Sequence, residues 1–312
     1  MLRTNSRSAT YPSNHPTVQI SARLTTSERD FALVGKGQPL SNLLLRKRMI
    51  TLYINLDSAE SRREWMERQF KARVIDAERV RAVTIDDLSS KTAGITFGNR
   101  MGRDWVDGEK ACFLSHRECW RRIADGEDAF GAVFEDDVHL SADAAAFLTD
   151  ESWIPPGADV VKIETYMTRV WLDKRCIVAN GRSLHRLRST HIGGAGYILS
   201  REAAARLFEC STHVAMPLDH LVFDPVYNYR LRVWQLNEAI CIQDDLLNSK
   251  DALFTSQISE SDVRAVNRKA KPKSKGKKIV RELNRIYKQV VDLASNPAWP
   301  ITMRRSIISY RE

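Results

Sequence analysis

The chain has 312 residues and a formal net charge of +9, with 43% hydrophobic and 28% charged residues. This balance fits a soluble globular protein with a sizeable core, built as one large domain or two small ones. No apolar stretch approaches the roughly 20 residues of a membrane span, and the first twenty residues lack the apolar segment of a secretory signal.

The positive charge lies at the two ends of the chain. Residues 1–48 hold eight basic and two acidic residues, and the stretch from Arg264 to Lys288 holds eleven basic residues and one acidic residue. The middle of the chain is therefore net acidic. Residues 1–48 are also rich in Ser, Thr, Arg and Pro without a sustained period, so we expect a disordered, flexible extension there.

From residue 49 onward the pattern alternates strands and helices. A β-branched and aromatic run over 49–56 is typical of a buried strand, and Asp57 or Ser58 then caps a helix. The elements predicted after it are strand 79–83, helix 108–125, strand 130–136, helix 142–148, strand 158–164, a strand and a Ser200-capped helix within 191–209, and strands 231–236 and 239–243. This alternation implies a single α/β domain over 49–250 with a mostly parallel sheet.

The segment 251–312 is predicted to be a basic linker followed by a helical tail. Residues 269–278 are basic and of low complexity, so they should be solvated. Residues 279–294 carry apolar side chains at helical spacing among basic ones, which indicates a basic amphipathic helix.

Three carboxylates, Glu135, Asp136 and Asp137, directly follow an apolar strand. In an open α/β sheet, ligands bind at the carboxyl ends of the strands. Adjacent carboxylates raise each other's pKa unless a cation lies between them, and a divalent ion bound by carboxylates and substrate phosphates removes that conflict. The run therefore indicates a metal site, and a solvated acidic turn is the alternative.

Two further motifs bear on this edge of the sheet. Arg62 and Arg63 begin the helix after the first strand, where they could pair with phosphate oxygens; the alternative is a surface helix with pairs such as Arg63–Glu67. The glycines of GGAG (193–196) precede a strand, which does not match a dinucleotide-binding loop. They would instead allow close backbone approach to a ligand.

The five cysteines are scattered without a C-x-x-C pair, so they are expected to be reduced thiols of a cytosolic protein. Cys112 and Cys119 lie two helical turns apart on one face. That spacing suits packing better than zinc binding.

Four ordered stretches resemble glycosyltransferase family 25, the lipooligosaccharide-biosynthesis glycosyltransferases related to collagen galactosyltransferases. Their order and spacing agree across about 50–245, although each motif alone is weak. One departure is Lys110-Ala111, where small or apolar residues with a glycine are usual. The stretches are ITLYINLDSAESRR (50–63), GEKACFLSHRECW (108–120), VFEDDVHL (133–140) and GGAGYILSREAAARL (193–207), the last followed by MPLD (216–219).

The resemblance implies a GT-A-type fold with one Rossmann-like domain, a nucleotide-sugar donor such as a UDP-hexose, and a divalent cation, Mn²⁺ or Mg²⁺, at the acidic motif. It also implies inverting transfer. Such a reaction needs a general base beside the acceptor hydroxyl and charge neutralisation at the leaving diphosphate.

The acidic motif supplies the candidate metal ligands, Asp137 first and Glu135 next, because alternation along a strand puts these two on one side. Asp136 could touch the ribose or the metal, or point into the protein. The donor-binding candidates are Asn55, Arg62, Arg63, Ser115, His116 and Asp136.

Asp219 is the candidate general base, and a plain helix N-cap is the alternative role for it. Asp244 and Asp245, after the strand 239–243, are reserve candidates for the base or a metal ligand. The residues expected on the acceptor side are Gly193, Gly194 and Tyr197.

The leading hypothesis is an inverting glycosyltransferase that adds a hexose, such as galactose, to lipopolysaccharide, lipooligosaccharide or another surface glycan. The basic tail would hold it at the inner face of the cytoplasmic membrane, since each basic residue near an anionic surface contributes about 1 kcal/mol. A nucleic-acid-binding protein is one alternative, disfavoured by the acidic middle of the chain. A catalytically inactive glycan-binding domain on the same fold is the other.

Overall fold

The structure, a computed structural model, describes residues 49–98, 104–247, 252–254 and 299–312. The strands in these residues are β1 Ile50–Asn55, β2 Glu78–Arg81, β3 Thr96–Phe97, β4 Phe130–Phe134, β5 Val138–Leu140, β6 Val160–Lys162, β7 Glu164–Thr165, β8 Arg169–Ala179, β9 Arg182–Leu187, β10 Gly196–Ser200, β11 His213–Val214, β12 Val233–Asn237, β13 Cys241–Gln243 and β14 Met303–Ile307. The helices are α1 Glu60–Ala72, α2 Leu88–Lys91, α3 Asp107–Asp125, α4 Ala145–Leu148, α5 Arg201–Cys210, α6 Leu218–Phe223, α7 Asp244–Leu247 and α8 Trp299–Thr302.

Nine of these strands form the main sheet, in the order β14-β8-β9-β12-β6-β10-β4-β1-β2. The pairs β1–β2, β1–β4 and β6–β12 are parallel, and the other five described pairs are antiparallel. The α/β prediction is confirmed, but the sheet is mixed rather than mostly parallel. The parallel edge β4–β1–β2 is the part that the alternating pattern described correctly.

The antiparallel half of the sheet grows from a long hairpin that the sequence analysis did not predict. Its strands β8 and β9 are joined at Asn180 and Gly181, whose φ angles of 48° and 77° are both positive. An Asn-Gly pair suits this turn because a tight hairpin requires positive φ at both central residues. The dipeptide was therefore the signal available in the sequence.

The end of the chain belongs to the sheet and not to a detached tail. Strand β14 pairs antiparallel with β8, and Thr165 Oγ1 donates to the carbonyl of Ile308 at 2.5 Å. The predicted extension 1–48 and the predicted helix 279–294 lie outside the described residues. None of the helices in the described part of the chain combines the length and apolar character needed to cross a membrane.

Both faces of the sheet are buried at β1 and β4, which explains why these two strands are continuous apolar runs in the sequence. Along β4 the side chains alternate: Val133 packs into the cluster around α3 and α5, whereas Ala132 and Phe134 pack into the cluster around α1 and α4. Helix α1 does not have the side-chain cap that was predicted at Asp57 or Ser58. The carboxylate of Asp57 pairs with Arg79 and Arg81 instead. The result is a rigid strand pair whose carboxyl ends open at one edge.

Candidate functional site

A cavity of about 370 Å³ lies at the carboxyl ends of β1 and β4, within the size range of small-molecule sites. Its walls come from the ends of β1, β2, β4 and β13 and from α1 and α3. Three predicted motifs, far apart in sequence, therefore meet there. The predicted site residues that line it are Asn55, Arg62, Ser115, His116, Glu135, Asp136 and Asp137.

The central carboxylate of the acidic turn, Asp136, is bound by the protein itself. Asn55 Nδ2 donates to one of its oxygens at 2.7 Å and Arg62 NH1 to the other at 2.9 Å. All three side chains are buried. Of the roles left open for Asp136, the geometry therefore matches the one in which it points into the protein and holds Asn55 and Arg62 at the cavity.

The flanking carboxylates, Glu135 and Asp137, both line the cavity. Strand alternation is not the reason, because β4 ends at Phe134 and these residues lie in the turn after it. Gln243 Nε2 bridges them, at 3.2 Å from Glu135 Oε2 and 3.4 Å from Asp137 Oδ1. Arg62 NH1 reaches Asp137 at 3.4 Å, farther than it lies from Asp136. The negative charges of Glu135 and Asp137 are therefore less well balanced by hydrogen-bond donors than the charge of Asp136.

The pKa values of this pair express the same imbalance. Burial, followed by the charge of Asp136, raises the pKa of Glu135 to about 7. Burial, followed by the charge of Glu135, raises the pKa of Asp137 to about 7. A cation between the two carboxylates would remove the repulsion. Their assignment as metal ligands stays a prediction.

His116 forms the floor of the cavity and is fully buried. Its Nδ1 lies 2.9 Å from the Tyr197 hydroxyl, which also accepts from Trp120 Nε1 at 2.9 Å. Its Nε2 lies 3.3 Å from Glu135 Oε1. Burial lowers the pKa of His116 to about 3, so the imidazole is neutral. Tyr197, predicted on the acceptor side, lies instead beneath His116 and fixes its ring.

Two other predicted donor-binding residues make contacts within the protein. Ser115 Oγ donates to the carbonyl of Ala111 and accepts from the backbone N–H of Val83, each at 2.8 Å, which ties α3 to the segment after β2. Arg63 pairs with Glu60 at 3.0 Å and lies outside the cavity lining. The structure therefore separates Arg62, which faces the cavity, from Arg63, which does not.

The glycine loop, GGAG (193–196), and Asp219 of the MPLD segment (216–219) meet beside the cavity. Gly193 N donates to Asp219 Oδ2 at 3.4 Å, and Gly193 has a φ of 88°. A Cβ on Gly194 would come within 2.7 Å of Leu218. Asp219 is the second residue of α6, whose N-cap is Pro217, so the N-cap alternative for Asp219 does not hold. Its charge still contributes to the raised pKa of Glu135.

Beneath this loop lies a buried ion pair that the sequence analysis missed. Lys162 and Glu164 are both fully buried, with Nζ 2.9 Å from Glu164 Oε2 and 2.6 Å from the carbonyl oxygen of Gly193. Ala195 N also donates to Glu164 Oε2, at 3.0 Å. The pair supports the loop from below.

The reserve candidates lie away from the cavity lining. Asp244 is fully buried, accepts from the backbone N–H of Phe254 at 2.8 Å and lies 2.6 Å from His139 Nε2. Asp245 is exposed. Gln243, the residue just before them, is the one at the site, and only its position at the end of a strand could have indicated it.

The chain is similar to a known protein family. The sequence model of "Glycosyltransferase family 25 (LPS biosynthesis protein)" matches residues 49–222. That range includes the first three motifs, the glycine loop and Asp219.

Curated relatives cover a similar stretch. The chain is 31% identical over 207 residues to "Lipooligosaccharide biosynthesis protein lex-1" of Haemophilus influenzae, covering 62% of this chain and 66% of that protein. It is 28% identical to "Lipooligosaccharide biosynthesis protein lic2B" of Haemophilus influenzae, covering 67% and 81%. It is 33% identical to "Lacto-N-neotetraose biosynthesis glycosyltransferase LgtB" of Neisseria meningitidis, covering 61% and 73%.

Proposed function

The chain belongs to glycosyltransferase family 25, and on that premise we propose that it is an inverting, GT-A-type glycosyltransferase of lipopolysaccharide or lipooligosaccharide biosynthesis. It transfers a hexose, such as galactose, from a nucleotide-sugar donor, a UDP-hexose, to a hydroxyl of a glycolipid acceptor. The observation that carries the proposal is the cavity where three family motifs meet around Glu135 and Asp137. Relatives named for lipooligosaccharide biosynthesis support the substrate class.

The chemistry of Glu135 and Asp137 fits a hard divalent cation, Mn²⁺ or Mg²⁺. Both residues offer carboxylate oxygens, the ligand type that these metals prefer, and both carry a raised pKa that marks uncompensated charge. Asp136 supports the pair indirectly, because it holds Arg62 in place. A cation bound here would neutralise charge on the leaving diphosphate.

The rest of the cavity suits the nucleotide. Leu56, Val83 and Ile85 form an apolar wall that could cover the face of a base. Arg62 also lines the cavity and contacts the acidic turn, and its guanidinium could donate to a phosphate oxygen there. The donor would therefore lie with its base at the end of β2 and its diphosphate at the end of β4.

Asp219 is the proposed general base. Its carboxylate is oriented by the backbone N–H groups of Gly193 and His220, at 3.4 and 2.8 Å. It would accept the proton of the acceptor hydroxyl while that oxygen attacks the anomeric carbon and the nucleoside diphosphate leaves. At Gly193 and Gly194 the side chains of Glu164 and Leu218 lie where a Cβ would be, so the acceptor-side role of these glycines stays a prediction.

The test is transfer of labelled hexose from UDP-hexose to a lipooligosaccharide acceptor, measured with Mn²⁺ and with a chelator. Asp219→Asn should lower kcat about 1000-fold, and Asp125→Asn, an exposed carboxylate at the end of α3, should leave kcat unchanged. A wild-type protein that neither transfers nor hydrolyses any nucleotide sugar would contradict the proposed function. Wild-type kcat in Asp219→Asn would contradict the assignment of the base alone.

We further propose a peripheral location on the inner face of the cytoplasmic membrane, through the basic stretch Arg264–Lys288. The motivation is its eleven basic residues against one acidic residue, which should attract anionic lipid and be weakened by salt. Sedimentation of the full chain with anionic and neutral vesicles tests it. Equal binding to both vesicle types would contradict this part of the proposal.

A further inference from the structure

Three side chains of different chemistry converge at the floor of the cavity. Cys112 Sγ, His116 Nε2 and Glu135 Oε1 all lie within 4.8 Å of one another. Cys112 and His116 are one turn apart on α3, so they project from the same face of the helix. Glu135 meets them from the end of β4. A thiol, an imidazole and a carboxylate are the ligand types found together in zinc sites.

The distances between these atoms are near those of a tetrahedral site. His116 Nε2 lies 3.3 Å from Glu135 Oε1, and Cys112 Sγ lies 4.0 Å from the same oxygen. Ligand bonds of about 2.0–2.3 Å in a tetrahedron place neighbouring ligand atoms about 3.3–3.6 Å apart. Cys112 Sγ also lies within 4.8 Å of His116 Nε2, so the thiol must move closer to the other two ligand atoms to close the site.

The imidazole is already held in the orientation that a metal ligand needs. Its Nδ1 lies 2.9 Å from the Tyr197 hydroxyl, and Trp120 Nε1 fixes that hydroxyl from the other side. Nε2 is left facing Glu135 and the cavity. Metal-binding histidines usually donate their second ring N–H to such a partner, which fixes the tautomer and the ring.

We propose that Cys112, His116 and Glu135 form a binding site for a thiophilic divalent ion of the Zn²⁺ class, with its fourth position open to the cavity. This site shares only Glu135 with the oxygen-ligand pair Glu135–Asp137. A bound Zn²⁺ draws Glu135 away from Asp137 and releases the thiol proton of Cys112 to solvent. The consequence for catalysis, which rests on the proposed function, is that Zn²⁺ opposes activation by Mn²⁺ or Mg²⁺.

The choice of Zn²⁺ over a hard cation follows from the ligands. Thiolate and imidazole favour the later first-row metals, whereas carboxylates alone suit Mg²⁺ and Mn²⁺. The cysteine pair considered in the sequence, Cys112 and Cys119, does not make a site, because Cys119 is buried in the core. The partner of Cys112 is His116, four residues along the helix.

Co²⁺ serves as the probe, since a thiolate ligand gives it a charge-transfer band in the near ultraviolet and a tetrahedral site gives it strong visible bands. The reduced full-length chain should show both bands at one Co²⁺ per chain and lose them when Zn²⁺ is added. Cys112→Ser should remove the charge-transfer band and weaken Zn²⁺ binding about 100-fold. Cys176→Ser, at an exposed cysteine, is the matched control and should retain both.

Asp137→Asn should retain the charge-transfer band, because Asp137 is not a ligand of this site. A band that survives in Cys112→Ser, or that is absent from the wild type, would overturn the proposal. Alkylation of Cys112 in the wild type, followed by mass spectrometry, provides a readout that needs no variant: Zn²⁺ should slow it at least about tenfold. Unchanged alkylation would also overturn the proposal. Neither measurement uses a sugar donor, so both stand apart from the test of transferase activity.

Discussion

Two groups of buried carboxylates in this molecule are compensated in opposite ways. Glu164, beneath the glycine loop, is paired with Lys162 at 2.9 Å, and both side chains are fully buried. Glu135 and Asp137 share the neutral amide of Gln243. Burial raises the pKa of each to about 7, and the charge of Asp136 adds to the rise at Glu135 as the charge of Glu135 does at Asp137. Lys162 ends β6 and Glu135 follows β4, the two strands that flank β10 in the main sheet, whereas Glu164 lies in β7 of a separate three-stranded sheet.

The difference separates a structural charge from a binding one. Burial raises the pKa of Glu164 as well, but the charge of its partner Lys162 opposes that rise, and removing the lysine would leave the carboxylate without a cation. The nearest cation to the Glu135–Asp137 pair, Arg62, lies closer to Asp136 than to Asp137, and the pKa values of the pair stay raised. Such perturbed carboxylates are typical of sites that bind a ligand. The following predictions use this contrast, in order of decreasing effect.

Lys162→Met should be the most destabilising change, because it leaves Glu164 buried without its ammonium partner. We expect a loss of about 3–5 kcal/mol in the free energy of unfolding, measured by urea titration. The double variant Lys162→Met/Glu164→Gln should recover part of that loss. A single variant as stable as the wild type would show that the pair is not structural.

Asp137→Asn should lower the transferase activity without lowering the stability of the fold. Loss of a ligand carboxylate should lower kcat/KM about 100-fold or more. The free energy of unfolding without metal should stay equal or rise, because one of two repelling charges is gone. Asp136→Asn is the matched variant and should destabilise, since Asn55 and Arg62 lose their acceptor. A lower free energy of unfolding in Asp137→Asn than in the wild type would contradict this prediction and show that Asp137 stabilises the fold.

The raised pKa values of Glu135 and Asp137 predict a pH dependence of stability. The folded chain keeps protons on these carboxyls up to about pH 7, whereas the unfolded chain releases them near pH 4. Without divalent cations, their contribution to the free energy of unfolding should therefore fall by about 3 kcal/mol for each carboxyl that stays protonated as pH rises from 4.5 to 7.

The measurement is the difference between wild type and Asp137→Asn, in chelator. A difference is needed because His116, with its pKa lowered to about 3, contributes the opposite slope in the same range. Saturating Mn²⁺ should flatten the wild-type fall. If the difference in the free energy of unfolding between the two proteins does not change with pH, the raised pKa values of Glu135 and Asp137 are contradicted.

Arg63→Gln should have the smallest effect. Its pair with Glu60 is partly exposed, so the loss in stability should stay below about 0.5 kcal/mol and donor affinity should change less than about twofold. Arg62→Gln is the matched variant and should weaken donor binding and stability together, because Arg62 holds Asp136. Equal effects of the two substitutions would remove the distinction between these neighbours.

Local pattern was enough to predict the parallel edge of the sheet and the position of the acidic turn. The runs 49–56 and 130–136 have strand periodicity, and the helix over 108–125 has an apolar stripe. The β8–β9 hairpin was not predicted, although the dipeptide Asn180-Gly181 is typical of a tight hairpin turn. Strand β14 was missed because its pairing with β8 joins segments more than 120 residues apart, which no local pattern encodes.

The candidate site shows the same limit. Glu135 and Asp137 both line the cavity, but through the turn that follows β4 and not through strand alternation, and the partners of this turn come from across the chain. Gln243 is 106 residues from Asp137. The meeting of Cys112 and His116 with Glu135 depends on how α3 packs on β4. Such contacts are fixed by tertiary packing, so the structure was needed to find them.

The most direct test of the metal-binding role of Glu135 and Asp137 is calorimetric titration of the full chain with UDP, in Mn²⁺ and in chelator. If Glu135 and Asp137 hold a cation against a diphosphate, Mn²⁺ should raise the UDP affinity at least about tenfold, and UDP should raise the Mn²⁺ affinity by the same factor. Asp137→Asn should abolish this coupling. Equal UDP affinity in Mn²⁺ and in chelator would contradict the role assigned to the acidic turn.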